Sequence, residues 1–219
     1  MLAAAAAALL ALLALSGWRP YDRLTAAPRP LGILDMIALP VMAATYRRHP
    51  LTPLLYACIF VHCAILMLGG AYTYARVPLG FVLQEWLQLD RNPYDKIGHF
   101  AQGFVPAMVA REILLRGAYV RGRRMLAFLV GCVVLAISAT YELIEWGAAV
   151  ALGQGADEFL GTQGDPWDTQ SDRLWALLGA GGGLWIRSRG HARQIAPLAA
   201  TRAPEVTRAP DAASPPGGR

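Results

Sequence analysis

Long apolar stretches alternate along this chain with short links rich in arginine, proline or glycine, and their lengths predict membrane-spanning helices. Residues 1–18 are nearly all Ala and Leu, about one bilayer span if helical. No basic segment precedes them and no small-x-small cleavage site follows, so an uncleaved first helix is expected rather than a signal peptide. An Arg/Pro-rich link, 19–30, leads to a shorter apolar segment, 31–46, which contains Asp35 and Pro40. Arg47, Arg48 and His49 close that segment, and a third span follows over 51–74 with His62 at its middle. Residues 78–89 are too short to span; they mix Phe81 and Trp86 with Gln84, Glu85 and Gln88, as in a helix lying at the membrane interface.

The next helix is predicted over 93–115, opened by Asn92 as N-cap and Pro93 as first helical residue. An arginine-rich turn (Arg116, Arg121, Arg123, Arg124) precedes a long span over 125–152. A loop over 153–164, rich in Gly and acid, leads to a final apolar helix from about 174 to 186, where Gly179 and Gly181 to Gly183 permit close helix packing. The tail from Arg187 onward is rich in Arg, Pro and Ala and is expected to be disordered. The fold class is therefore all-α: a polytopic transmembrane bundle of five or six spans in one domain over residues 1–186, followed by a disordered tail over 187–219.

Composition agrees with this pattern. Of the 219 residues 55% are hydrophobic and only 16% charged, against about a quarter charged in a soluble domain, and the mean hydropathy is +0.36. The formal charge of +5 does not indicate nucleic-acid binding, because the arginines lie in the links and the tail, where they act as topology signals. The positive-inside rule places the 116–124 turn, the Arg47-Arg48 turn and the C-terminal tail in the cytoplasm. Six spans with both ends inside satisfy it, although the link bearing Arg19, Arg23 and Arg29 then falls outside. Five spans, with 31–46 re-entrant or 1–18 removed, are the alternative. Cys58, Cys63 and Cys132 lie in apolar stretches without C-x-x-C spacing, so they are read as small packing residues rather than disulfide partners or zinc ligands.

Against this apolar background the ionisable residues stand out. Two helix starts read alike: Asn92-Pro93-Tyr94-Asp95 with His99 four residues on, and Asp165-Pro166-Trp167-Asp168 with Asp172 four residues on. At a rise of about 1.5 Å per residue, His99 and Asp172 each lie roughly 9 Å inward from their prolines, and Glu145, on the helix running the other way, reaches a similar level. Glu142 lies three residues before Glu145, and Ser138 extends the same face. A charge facing lipid costs at least about 2.5 kcal/mol, which turns these acids toward the bundle interior. One polar pocket is expected, open to the outer side and lined by Asp95, His99, Glu142, Glu145, Asp168 and Asp172.

Five carboxylates and an imidazole cannot all stay charged close together, since like charges oppose one another's ionisation. A divalent cation relieves the conflict, and mixed His/carboxylate ligation suits Zn, Mn or Fe better than soft thiolate metals; shared protons, as in a relay, also relieve it. Plainer roles stand beside each residue. Asn92 and Asp165 serve as caps, and Asp95 and Asp168 are first-turn acids that the helix dipole favours without further function. Lys96 sits at headgroup level and pairs with an acid, and Tyr94, Trp146 and Trp167 anchor the interface.

The run D-K-I-G-H-F-A-Q-G-F-V-P-A (95–107), with Y-E-L-I-E-W (141–146) and G-Q-G-A-D-E-F-L-G-T-Q-G-D-P-W-D-T-Q-S-D (153–172), resembles the YjdF family of bacterial inner-membrane proteins over about residues 51–186. The D-K-x-x-H-F element alone is also similar to one in VanZ-like membrane proteins. The YjdF resemblance implies a multi-pass protein of the bacterial inner membrane and carries no catalytic role to any residue; VanZ-like proteins are associated with glycopeptide resistance, which one short element does not transfer.

The leading reading is a metal-assisted hydrolase or transferase acting on an amphiphile of the outer leaflet. In it His99, Glu145, Asp172 and Asp168 supply metal ligands, while Glu142 serves as general base and Asp95 joins it as a catalytic carboxylate. Membrane lipids are the expected partners and nucleic acid is not. Two further readings stay open: a proton-coupled transporter, for which His62 and Asp35 have to connect to the pocket, and a structural membrane protein whose acids only satisfy one another.

Overall fold

The computed structural model describes residues 40–152, 163–186 and 188–200, together with Ala7, Ala8 and Ala11, and among these residues every regular element is a helix. After a short helical stretch at 40–45 come α1 (Pro53–Ala71), α2 (Pro78–Trp86), α3 (Tyr94–Arg116), α4 (Arg123–Leu152), α5 (Asp168–Ile186) and α6 (Ser188–Ala200). Two of them, Pro53–Ala71 and Arg123–Ala151, are long and apolar enough to cross a membrane. The segments 1–6, 12–39 and 153–162, which hold most of the expected first span, Asp35 and the acidic loop, lie outside the described residues.

Helix α3 is the axis of the bundle, packed against α1, α4, α5 and α6. On α1, Leu55, Ile59, Cys63 and Met67 recur every four residues and so form one stripe, which buries against Val105 and Met108 of α3. A second cluster joins Ala107 and Ala110 of α3 to Val130 and Val134 of α4 and to Ala176 and Ala180 of α5. Its small residues bring the backbones close, and glycine makes the closest approach. A Cβ on Gly103 would fall 1.8 Å from the Ala176 carbonyl oxygen, and one on Gly179 would fall 2.0 Å from that of Phe100. Gly183 also faces α3, whereas Gly181 looks into open space.

The outward faces remain apolar. Phe128, Leu143, Trp146 and Val150 of α4 and Trp185 of α5 are all exposed, as suits a surface solvated by lipid. Cys132 faces the same way, while Cys63 is in the core. Helix α2 presents Leu79, Phe81, Val82 and Trp86 outward and rests on Asn92 through Gly80, where any Cβ would collide with the Asn92 amide.

One expectation is corrected. Of the tail over 187–219, residues 188–200 are helical, because α6 has somewhere to dock, while 187 and 201–219 lie outside the described residues. The imidazole of His191 is fully buried, accepting from Arg111 at Nδ1 (3.0 Å) and donating from Nε2 to Glu112 (2.9 Å). Gln194 accepts from the Leu54 amide at the start of α1. Low hydrophobicity argued for disorder, and buried polar pairing supplies the order instead.

Candidate functional site

The site is assembled where α3 and α5 begin side by side. Asn92 Oδ1 accepts the Tyr94 amide (3.0 Å), and Asp165 Oδ1 accepts the Trp167 amide (2.9 Å), so both starts use the same turn from an Asx residue to the amide two positions on. The proline between cap and amide lacks an N–H and leaves that bond unopposed. The two starts are also tied together. The Asn92 amide donates to Gln163 Oε1 and the Asn92 carbonyl accepts from Gln163 Nε2, Asn92 Nδ2 donates to the Val77 carbonyl below α2, and Arg91 pairs with Asp165. The Trp167 amide, and after it the Arg91 guanidinium, hold the Asp165 carboxyl below its ordinary 3.8.

One turn inward, Lys96 occupies the centre of the acids. Its Nζ lies 2.6 Å from Asp172 Oδ1, 2.7 Å from Asp168 Oδ1 and 3.5 Å from Asp95 Oδ2. Asp95 and Asp172 each turn their second oxygen away from the lysine, and those two oxygens face His99. Nε2 of His99 stands 3.6 Å from Asp95 Oδ1 and 3.6 Å from Asp172 Oδ2. Behind the ring, Nδ1 lies 3.0 Å from Gln102 Oε1. An amide oxygen can only accept, so Nδ1 carries the proton and, in the neutral ring, the Nε2 lone pair is directed between the two carboxylates.

This triangle has the form of a cation site. Its three candidate ligand atoms lie within 4.8 Å of one another and all three residues are buried. At bond lengths of about 2.1 Å, a separation of 3.6 Å corresponds to ligand–metal–ligand angles near ~120°, open to further ligands. The Gln102 acceptor behind His99 is the outer support that histidine ligands characteristically have. Formal charge points the same way: among the described residues the ion pairs of Asp95, Asp165, Asp168 and Asp172 with lysine or arginine are to Lys96 and Arg91, four acids to two cations with His99 neutral.

The other expected members take different places. Asp95, assigned above to catalysis, belongs to the triangle. Asp168, assigned as a ligand, directs Oδ1 to Lys96 and toward Arg91 at 3.8 Å. Glu145, also assigned as a ligand, accepts a 2.6 Å bond from the Tyr141 hydroxyl, and the Tyr141 ring meets His99 edge-on with centroids 5.8 Å apart. Glu142 lies beside the triangle within hydrogen-bonding range of Thr169, and its Oε1 is buried without a partner among the described residues. A pocket of about 10 Å³ bounded by Asp95, His99, Gln102 and Tyr141 adjoins the triangle, room for roughly one water-sized species.

The residues that sequence reasoning undervalued are Lys96, Gln102, Arg91 and Tyr141. Spacing held a usable signal for two of them: Gln102 is three residues from His99 and Tyr141 four from Glu145, the intervals that share a helix face. Lys96 was expected to pair with an acid, but no spacing marked its two nearest partners, Asp168 and Asp172, which sit on another helix. A second buried network, also unanticipated, closes the far end of α3. There Glu112 accepts from the Thr52 amide and hydroxyl, from Arg116 and from His191.

The chain matches over residues 1–193 the family model described as "Predicted membrane protein (DUF2238)". It belongs to that family. It is similar to the inner membrane protein YjdF of Escherichia coli (strain K12), with 62% identity over 180 residues that cover 82% of this chain and 85% of the relative. No solved structure matches. The paired helix starts and the acid–histidine–lysine cluster of this DUF2238 protein thus belong to a membrane protein, and ionisable groups buried in such a bundle call for a functional account.

Proposed function

We propose that this multi-pass protein of the bacterial inner membrane binds one divalent metal ion, Zn or Mn, through Asp95, His99 and Asp172, and uses it as a hydrolase or transferase acting on an amphiphile of the outer leaflet. The observation that carries the reading is the division of labour between carboxylate oxygens. Asp95 and Asp172 each give one oxygen to Lys96 and present the other to a histidine nitrogen whose lone pair is directed at them. A metal held there polarises a phosphoryl or carbonyl oxygen. Glu142, half-buried beside the triangle with Oε1 shut off and unpaired among the described residues, is the general base that accepts the proton of the attacking water or hydroxyl. Lys96 and Asp168 keep the ligand carboxylates in place, and Tyr141 holds Glu145 off the metal.

The outward orientation is supported by the arginines. Arg116, Arg121, Arg123 and Arg124 cluster at the opposite end of α3 from the site, which the positive-inside rule assigns to the cytoplasm, together with α6 and the C-terminus. A bundle of five or six spans fits that arrangement, with α1, α3, α4 and α5 among them. A carrier needs polar groups through the membrane, yet on α3 the stretch from Gly103 to Ala110 has no polar side chain. It separates Gln102 from Glu112 by about 15 Å. His62 and Gln102 both line an apolar cavity that none of the site's carboxylates borders. The enzyme reading is therefore preferred to the transporter.

The test is elemental analysis of protein purified in mild detergent, without chelator or histidine tag. Near-stoichiometric metal is expected in the wild type and in Glu142→Gln, and none in folded His99→Ala or Asp172→Ala. A folded wild type that carries no metal and takes up neither Zn nor Mn on titration refutes the proposal.

A further inference from the structure

A cavity of about 510 Å³ lies along α1, α3 and α4, walled by Ile59, His62, Leu66, Gln102, Val105 and Ile137. Its size is that of a small-molecule site. The wall is apolar apart from a few atoms, and two of the side chains that line it each carry an unusual nitrogen. Nε2 of His62 and Nε2 of Gln102 are both shut off from solvent and without a hydrogen-bond partner among the described residues. Gln102 as a residue is only 4% exposed. Polar atoms buried in this way are costly and nearly always paired, so two on one wall mark a place that a ligand completes.

Depth and chemistry name the ligand. His62 is at the midpoint of α1, the apolar helix Pro53–Ala71, a level that lipid chains reach and water-soluble molecules do not. An apolar cavity of this kind stays dry, and only a hydrocarbon matches its wall. The Gln102 amide nitrogen is a donor, which calls for an oxygen acceptor at the end of the chain. Its other end, Oε1, accepts from His99 Nδ1, so one side chain touches both the cavity and the metal-binding triangle.

We propose that the cavity binds the acyl chain of a membrane phospholipid, with the ester carbonyl of that chain accepting a hydrogen bond from Gln102 Nε2. The inference rests on the amphiphile reading above and supplies its substrate class: an acyl-ester lipid whose head is delivered to Asp95, His99 and Asp172. Gln102 is a positioning residue, registering the lipid against His99.

The experiment reconstitutes the full chain in phosphatidylethanolamine/phosphatidylglycerol vesicles doped with phosphatidylglycerol bearing a diazirine on one acyl chain, irradiates, and maps labelled peptides by mass spectrometry. Label is expected on Ile59, Leu66 and Val105, several-fold above that on the outward residues Phe128 and Val150. Two rim substitutions on α4, Val133→Trp and Ile137→Trp, each fill the mouth and lower cavity labelling while sparing Phe128 and Val150. Equal labelling of cavity and outward faces means ordinary surrounding lipid and overturns the inference. Unlabelled cavity walls beside labelled outward faces, as when another part of the chain fills the space, also overturn it. Metal content measured on the same samples separates the two readings. Cavity label that persists in metal-free Asp172→Ala supports the lipid site by itself, and metal retained without cavity label defeats the lipid site alone.

Discussion

Replacing Gly103 by alanine tests whether the α3–α5 contact sets the metal site. The new Cβ would lie 1.8 Å from the Ala176 carbonyl oxygen, and real Cβ atoms essentially never approach closer than 3.0 Å. The obstacle is backbone, so no side chain can swing away, and the helices must part by about 1.2 Å or more at a cost of roughly 1–3 kcal/mol. Gly103 is one turn below His99, and Ala176 one turn below Asp172. A separation of that size widens the 3.6 Å gap between His99 Nε2 and Asp172 Oδ2 to nearly 5 Å, while two ligands on one ion stand at most about 4.2 Å apart. The expected result is a folded protein with a lowered melting temperature in detergent and no stoichiometric metal. Gly181→Ala, on the same helix but facing open space, is the control. It should keep its metal and match or exceed wild-type stability by up to ~1 kcal/mol from helix propensity. Wild-type metal content and melting in Gly103→Ala would refute the reasoning.

Lys96→Met leaves Asp168 and Asp172 facing each other without their lysine, and breaking a buried pair of this kind costs ~3–5 kcal/mol; a loss below about 1 kcal/mol in denaturant titration would show that the acids have other compensation. His191→Ala removes the bond to Glu112 and the acceptor for Arg111, about 1.5–3 kcal/mol for a hydrogen bond to a charged group. Trypsin should then cut within 188–200 faster than in wild type, and unchanged cleavage would mean that α6 is held by other contacts. The Asp165 carboxyl, held below 3.8 in the folded chain, contributes stability that is present above that value and lost as pH falls through its lowered folded value. Acid titration followed by the fluorescence of exposed Trp167 should show this step in wild type and lose it in Asp165→Asn; an identical step in both would assign it to another group.

Much of the architecture was legible from periodicity and length alone. The helices expected over 51–74, 93–115 and 125–152 correspond to α1, α3 and α4, since runs of apolar residues bounded by arginine or proline have no lower-energy form in a bilayer than helix. The matching helix starts at Asn92 and Asp165 were equally visible, because a cap, a proline and the amide after it form a local bond set by neighbouring residues. The depth of His99 and Asp172 followed from helix rise, and so the two were expected at one level before any contact between them was known.

What α3 and α5 do to each other was not local. Gly103 and Gly179 give no sign in sequence of which backbone they meet, and that meeting determines whether His99 faces Asp172 or lipid. The split of Asp172 between Lys96 and His99, the withdrawal of Asp168 toward Lys96, and the docking of His191 under Glu112 all depend on side chains from different helices. Residue type and spacing determined the helices, their depth and the kinds of group within reach. Only tertiary packing decided which lone pair points at which oxygen, because that choice turns on small differences in interhelical distances that are themselves about 8–10 Å.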